Sequence, residues 1–206
     1  MPRANGSYIV VMDDFVLKSC VPAPAEVYKR LMVPSPLPFA TSVSLSKPRI
    51  ETTSILEVRP VCLPEMPQSL NELCIAIKGV LTALAELHRR ECVHRDVRWP
   101  NILKDGDRWI LADFELADLV GEPVPPGAIA SAHLPPEMLA DAAARYQRAG
   151  DIFCVGRLVD VWRWTEPLTA EARAWSARLT SADVSARPTA EFLLVETSGW
   201  LVTDNA

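Results

Sequence analysis

Glycine is scarce in this sequence, at 8 of 206 residues, and the five cysteines are odd in number with no CxxC pairing. Cys20, Cys62, Cys74, Cys92 and Cys154 are widely spaced, which excludes a zinc ribbon and a disulfide framework and leaves buried free thiols. A long Lys/Arg run is also missing. With 21 basic against 26 acidic side chains the net charge is −5, which offers no electrostatic footprint for duplex DNA or an anionic bilayer. Neither a nucleic acid nor a membrane is therefore expected as a partner. No uncharged stretch reaches spanning length, and the apolar patch at 8–12 is too short for a secretory core and lacks a small-residue cleavage site. An intracellular, reducing location is the expectation. No internal repeat is visible.

What is present is an ordinary globular composition, 49% hydrophobic and 23% charged, enough to bury a core as one large domain or two small lobes. Proline is abundant at 18 and crowds the stretch from Pro22 to Pro67, where regular helices would be broken. The first third therefore reads as short strands and loops: strands at 8–12 and 15–18 about an Asp13-Asp14 turn, a strand at 55–61, and a short helix at 25–32. From residue 69 the texture becomes helical. Ser69 with Glu72 three positions later forms a capping box, opening a helix over 70–87 with Leu73, Ile77, Val80, Leu81, Leu84 and Leu87 on one face. A small hairpin follows at 102–112. Further helical periodicity lies at 151–164, at 170–179 behind Thr169 and at 190–196 behind Thr189. The six Trp residues (99, 109, 162, 164, 175 and 200) read as core anchors, since no basic groove accompanies them.

The informative stretch runs His94, Arg95, Asp96, Val97, Arg98, with Asn101 five residues after Asp96 and Asp113-Phe114-Glu115 at the end of the next hairpin. Any one Asp or Asn in a loop is usually a turn former. Together, at this spacing, they resemble the catalytic loop and metal-binding motif of the protein kinase family. Leu56, Glu57, Val58 and Arg59 upstream add a likeness to kinase-like domains of fungi and of oomycete Crinkler effectors. Pro136-Glu137, Arg187 and Asp151 extend the resemblance: the first and second stand where the family ties its activation segment to a late helix, and Asp151 where it braces the catalytic loop.

The resemblance implies an α+β, two-lobed fold with a reduced β-rich N-lobe and hinge over 1–60 and a mainly helical C-lobe over 61–206. It implies ATP and Mg as cofactors and a protein substrate or binding partner. Asp96 would take or orient the proton of the attacking hydroxyl, Arg98 would face phosphate, and Asn101 and Asp113 would hold magnesium. Lys18 would bind phosphate, with Glu26 as its helix partner. Glu57, Val58 and Arg59 would carry the adenine at the hinge. His94 is expected to be a packed structural residue, and Arg95 a receptor for a phosphate on the activation segment, where Ser131 is the one hydroxyl between Leu116 and Pro136.

Three departures shape the functional expectation. Only 17 residues precede Lys18, with Gly6 alone among them, so no strand pair carrying a GxGxxG loop is expected there. Pro24 occupies a register natural for the Lys partner. Glu115 stands where the family has Gly, as a further metal ligand or as a brake. The readings that follow are an ATP-dependent Ser/Thr protein kinase, a pseudokinase acting as a binding module, and an aminoglycoside- or choline-kinase-like phosphotransferase. The last normally has Gly where Arg95 stands.

Overall fold

The computed structural model describes residues 9–20, 25–32, 35–50, 53–125, 127–141, 143–162 and 168–197. Trp164, Trp200 and the Glu26 side chain lie outside the described part. The first sheet comprises β1 (Ile9–Val11), β2 (Val16–Cys20), β3 (Ser42–Ile50) and β4 (Thr53–Arg59), all antiparallel in the order β1-β2-β4-β3. The acidic turn closes as the sequence predicts, with Met12 N–H donating to the Phe15 carbonyl and Val11 opposite Val16. β3 is a correction: the stretch around Pro48 reads as loop, yet it pairs with β4 from Ser42 to Ser46, and the register shifts before Ile50. Proline is tolerated there because β3 is an edge strand, whose outward N–H positions need no partner.

The helix α1 (Ala25–Met32) lies between β2 and β3 in the chain and buries Val27 and Leu31, four residues apart and so on one face. Its C-terminal end is held by the helical body. Arg90 is buried and donates to the carbonyls of Arg30 (2.8 Å) and Leu31 (3.0 Å), while the Arg30 guanidinium reaches the Arg90 carbonyl. A cation at a helix C-terminus also meets the favourable end of the helix dipole.

A short strand β5 (Leu63–Pro64) leads into α2 (Leu70–Arg89), whose stripe of Leu73, Ile77, Val80, Leu81, Leu84 and Leu87 forms the centre of the core. Each such side chain contributes roughly 1.5–3 kcal/mol of burial. Ser69 Oγ accepts from Glu72 N–H, and the Glu72 carboxylate returns to Gln68 N–H and to Lys104. After β6 (Cys92–Val93) come β7 (Ile102–Asp105) and β8 (Arg108–Leu111), the hairpin that completes a second sheet with β5; β9 (Asp118–Leu119) pairs with β6. The remaining helices are α3 (Pro136–Ala140), α4 (Arg148–Val161), α5 (Ala170–Leu179) and α6 (Ala190–Thr197). α4 starts three residues before the sequence suggests. Trp99 and Trp162 are buried with their indole N–H groups donating to the Leu158 and Pro67 carbonyls, and Trp109 and Trp175 are buried with them.

The close approach of α2 to β8 depends on Gly79. A Cβ there would sit 2.4 Å from the Trp109 carbonyl oxygen, a backbone atom with no room to yield. Gly79→Ala is expected to destabilise by about 1–3 kcal/mol, as overpacked cores do, despite alanine's better helix propensity. Thermal unfolding checks this; a raised melting temperature would contradict the packing. The same β8 strand is bound to the segment before β3, through Leu111 N–H to the Phe39 carbonyl and Thr41 N–H to the Leu111 carbonyl, both 2.9 Å. The first sheet is thereby held over the loop between β6 and β7.

Candidate active site

That loop is fixed from beneath by one buried carboxylate. Asp151 on α4 is fully buried and accepts from the backbone N–H groups of His94 (2.8 Å) and Arg95 (2.9 Å), and it bonds His88 Nε2 at 2.9 Å and Tyr146 Oη at 3.3 Å. Burial raises the Asp151 carboxyl, but the hydrogen bonds from the His88 ring and the His94 backbone N–H outweigh it and leave the group below its ordinary value. Arg95 takes a left-handed φ of 70°, a strained conformation for a non-glycine residue that two strong backbone bonds can hold.

His94 is fully buried, its Nε2 bonded to the Ala112 carbonyl at 3.0 Å and its Nδ1 accepting from Asp96 N–H at 3.2 Å. These partners assign the neutral Nε2–H tautomer, and burial lowers its pKa accordingly. It packs edge-on against Phe114 with ring centroids 4.8 Å apart. His94 is thus a structural residue joining the loop to the strand end that carries Asp113.

Asp96 is locked from two sides. Its Oδ2 accepts from Asn101 Nδ2 at 2.7 Å, its backbone carbonyl accepts from the same amide at 2.8 Å, and Arg98 Nε lies 3.0 Å from Oδ1 and 3.1 Å from Oδ2. Asn101 is positioned by the Trp99–Asn101 turn, and its carbonyl accepts from Ala112 N–H at 2.8 Å. Ala112 therefore bonds both Asn101 and His94, and the next residue, Asp113, is set by both. Asp113 itself is left-handed (φ 67°), which Asp tolerates better than most residues.

Lys18 comes from β2, opposite Leu56, and its Nζ lies 2.7 Å from Asp113 Oδ1 and 3.0 Å from Glu115 Oε1. So Lys18, Asp96, Asn101 and Asp113 are brought into one linked cluster. Among the described residues Lys18 pairs with Asp113 and Glu115, ninety-five and ninety-seven residues on, and the side chain of the expected partner Glu26 lies outside them. Glu57 and Val58 lie in β4 where it is paired on both sides, to β2 and to β3, whereas Arg59 faces only Ser42. The Arg59 guanidinium binds Asp14 and Glu57 and stacks over Phe15, so these two charged side chains pair with each other beside the turn.

Asp118 and Arg90 escaped the sequence reading, as did His88 and Tyr146 beside Asp151. Asp118 Oδ2 accepts from Arg95 Nη1 at 3.0 Å, and the Glu122 carbonyl accepts from Arg95 Nη2 at 2.8 Å, beside the role foreseen for Arg95 as a phosphate receptor. Arg90 was already met at the end of α1. The expected distant tie is present: Arg187 binds Glu137 through two bonds of 2.8 Å, anchoring α3 to the segment before α6. Such bidentate pairs are the stronger kind, and Arg187 is almost wholly buried. No three His, Cys, Asp or Glu side chains gather into a metal cage among the described residues. No described helix is long and apolar enough to cross a membrane.

Comparison with known proteins meets this geometry. Crinkler effector protein 8 of Phytophthora infestans is 36% identical over 144 residues, 66% of this chain and 23% of that protein. The match thus spans under a quarter of that relative's length. The profile described as Protein kinase domain matches residues 57–184, which include the braced loop, the Asp113 strand end and the Glu137 helix. With more than half the chain matched in this way, over an α+β architecture of small antiparallel sheets and, among the described residues, six α-helices, the chain belongs to the protein kinase domain family.

Proposed function

We propose that this chain is an ATP-dependent kinase module that transfers a phosphoryl group to a protein Ser or Thr hydroxyl, with 1–60 as reduced N-lobe and hinge and 61–206 as C-lobe. The observation that carries this is the linked cluster of Lys18, Asp96, Asn101 and Asp113. Phosphoryl transfer asks little covalent chemistry of the protein and much positioning. Asp96, held by Asn101 and Arg98, orients the acceptor hydroxyl and takes its proton. Arg98 presents an exposed guanidinium to the phosphate being transferred. Because Glu57 and Val58 are paired on both sides, the backbone available to an adenine edge begins at Arg59, while Val58 shares the inner face of β4 with buried Leu56.

The donor set fits magnesium. The Asn101 amide N–H is used on Asp96, which leaves its side-chain oxygen as a donor; with the Asp113 carboxylate this supplies hard oxygens, which are what Mg2+ takes. Lys18 shows that a cation is already accommodated at Asp113. When bound, Mg2+ neutralises the charge that spreads over the phosphoryl oxygens.

A second reading, a binding module without turnover, draws on one observation: Lys18 lies between two carboxylates, Asp113 and Glu115, and nucleotide must compete with them. A small-molecule phosphotransferase is disfavoured by the Glu137–Arg187 tie. Titration with ATP, with and without Mg2+, followed by melting temperature, separates the first two. Nucleotide at 100 times its Kd is expected to add ~2.7 kcal/mol, a rise of roughly 5–10 °C, that requires Mg2+ and is lost in Asp113→Ala. Absence of any shift at millimolar nucleotide would favour the binding module.

A further inference from the structure

Beside the catalytic loop a cavity of about 290 Å3 opens between residues 97–100, the turn at Ala132 and His133, and one face of α4. That volume sits at the lower end of ligand pockets, suited to one or two side chains and too small for a nucleotide. Its floor is apolar: Val97, Trp99, Leu158 and Val161, of which Val161 is an exposed hydrophobic residue. Its rim carries Arg98, His133 and Arg157, and no carboxylate lines it.

Nearby acids are turned elsewhere. Asp96 is engaged by Arg98 and Asn101, Asp160 accepts from Ser176 Oγ on α5, and Glu137 is held by Arg187. Cys154, also in the lining, is buried and its thiol pushed up to about 12, so it adds no negative charge. Arg157 is exposed and has no ion-pair partner among the described residues. Arg98 lines this cavity and touches Asp96, so an occupant lies next to the group that addresses the hydroxyl.

We infer, on the kinase reading above, that this cavity receives the acceptor segment of the substrate and selects an aliphatic side chain flanked by a carboxylate close to the Ser or Thr. A carboxylate would meet Arg157 and His133 over an apolar floor, and a Lys or Arg there would face like charge with no compensating acid.

The test uses the full chain and three serine peptides that differ only in a Glu, Gln or Lys beside a leucine next to the acceptor. Binding is followed by fluorescence anisotropy without nucleotide, and KM and kcat by phosphate incorporation with Mg-ATP. The expected result is about tenfold tighter binding, and lower KM, for the Glu peptide than for the Lys peptide, reversed in Arg157→Glu. Val161→Glu should shift the preference in the same direction. Should Arg157→Glu melt well below wild type, Arg157→Gln decides by whether the acid preference shrinks. Charge-selective binding without turnover would sink the catalytic reading and leave the pocket assignment standing. Equal affinity for all three peptides, binding of none, or an acid preference untouched by the Arg157 variants would overturn the inference even if turnover is brisk.

Discussion

Asp96→Asn is expected to lower phosphoryl transfer by at least ~10²-fold while the melting temperature and the Mg-ATP stabilisation stay close to wild type. The argument rests on how little the substitution disturbs. Asp96 Oδ2 takes the Asn101 amide at 2.7 Å, and an asparagine can keep its oxygen on that side. Its amide nitrogen would then meet Arg98 Nε, whose side chain is 42% exposed and free to turn to water. The structural cost is therefore about one hydrogen bond, ~1 kcal/mol. What is lost is the anion that takes the hydroxyl proton. Radiolabelled phosphate incorporation, beside nucleotide melting, reads the two effects separately. Turnover within about threefold of wild type would remove Asp96 from the mechanism.

The ease with which parts of this fold can be read from sequence follows the range of the forces that make them. Asp96, Asn101 and Asp113 stand within eighteen residues, and the loop that binds them is closed by local bonds such as Ala112 N–H to the Asn101 carbonyl. Helices α2, α5 and α6 carry their own start signals in Ser69, Thr169 and Thr189, each of whose hydroxyls accepts from a first-turn N–H. β3 was hidden because Pro48 and a serine-rich run resemble loop, and its edge position is decided by the neighbouring strand and not by its own pattern.

Charges that pair across the fold were harder still. Lys18 was identifiable as a strand-end lysine, but its pairing with Asp113 and Glu115 depends on how the first sheet is set over the catalytic loop. That setting is made by Arg90 on the α1 carbonyls, sixty residues away in sequence, and by Leu111 on Phe39. Arg95 with Asp118 is the same case. An acidic residue at a strand end carries no signal that it will fill an arginine's hydrogen-bonding fork, so a phosphate-receiving role was the natural expectation. Asp118 and the Glu122 carbonyl take the two terminal nitrogens of Arg95, while its buried Nε has no hydrogen-bond partner among the described residues.

Asp151→Ala should destabilise the chain by roughly 3–5 kcal/mol, lowering the melting temperature by about 10 °C. A single carboxylate here satisfies the N–H groups of His94 and Arg95, the His88 ring and the Tyr146 hydroxyl, all in the interior. Removing it strands several buried donors at once, each costing about 1–3 kcal/mol before relaxation. It also releases Arg95 from the bonds that hold its left-handed backbone, so the Asp96 side chain loses its fixed aim. The pH dependence gives an independent check. Because the folded-state pKa of Asp151 lies below its unfolded value near 4, the contribution is fully present above about pH 4 and disappears as pH falls through the lower folded value. The difference in unfolding free energy between wild type and Asp151→Ala should shrink as pH falls below about 4. A difference that grows as pH falls below about 4, or a variant that melts with wild type at pH 7, would mean that the loop is braced by something other than this carboxylate.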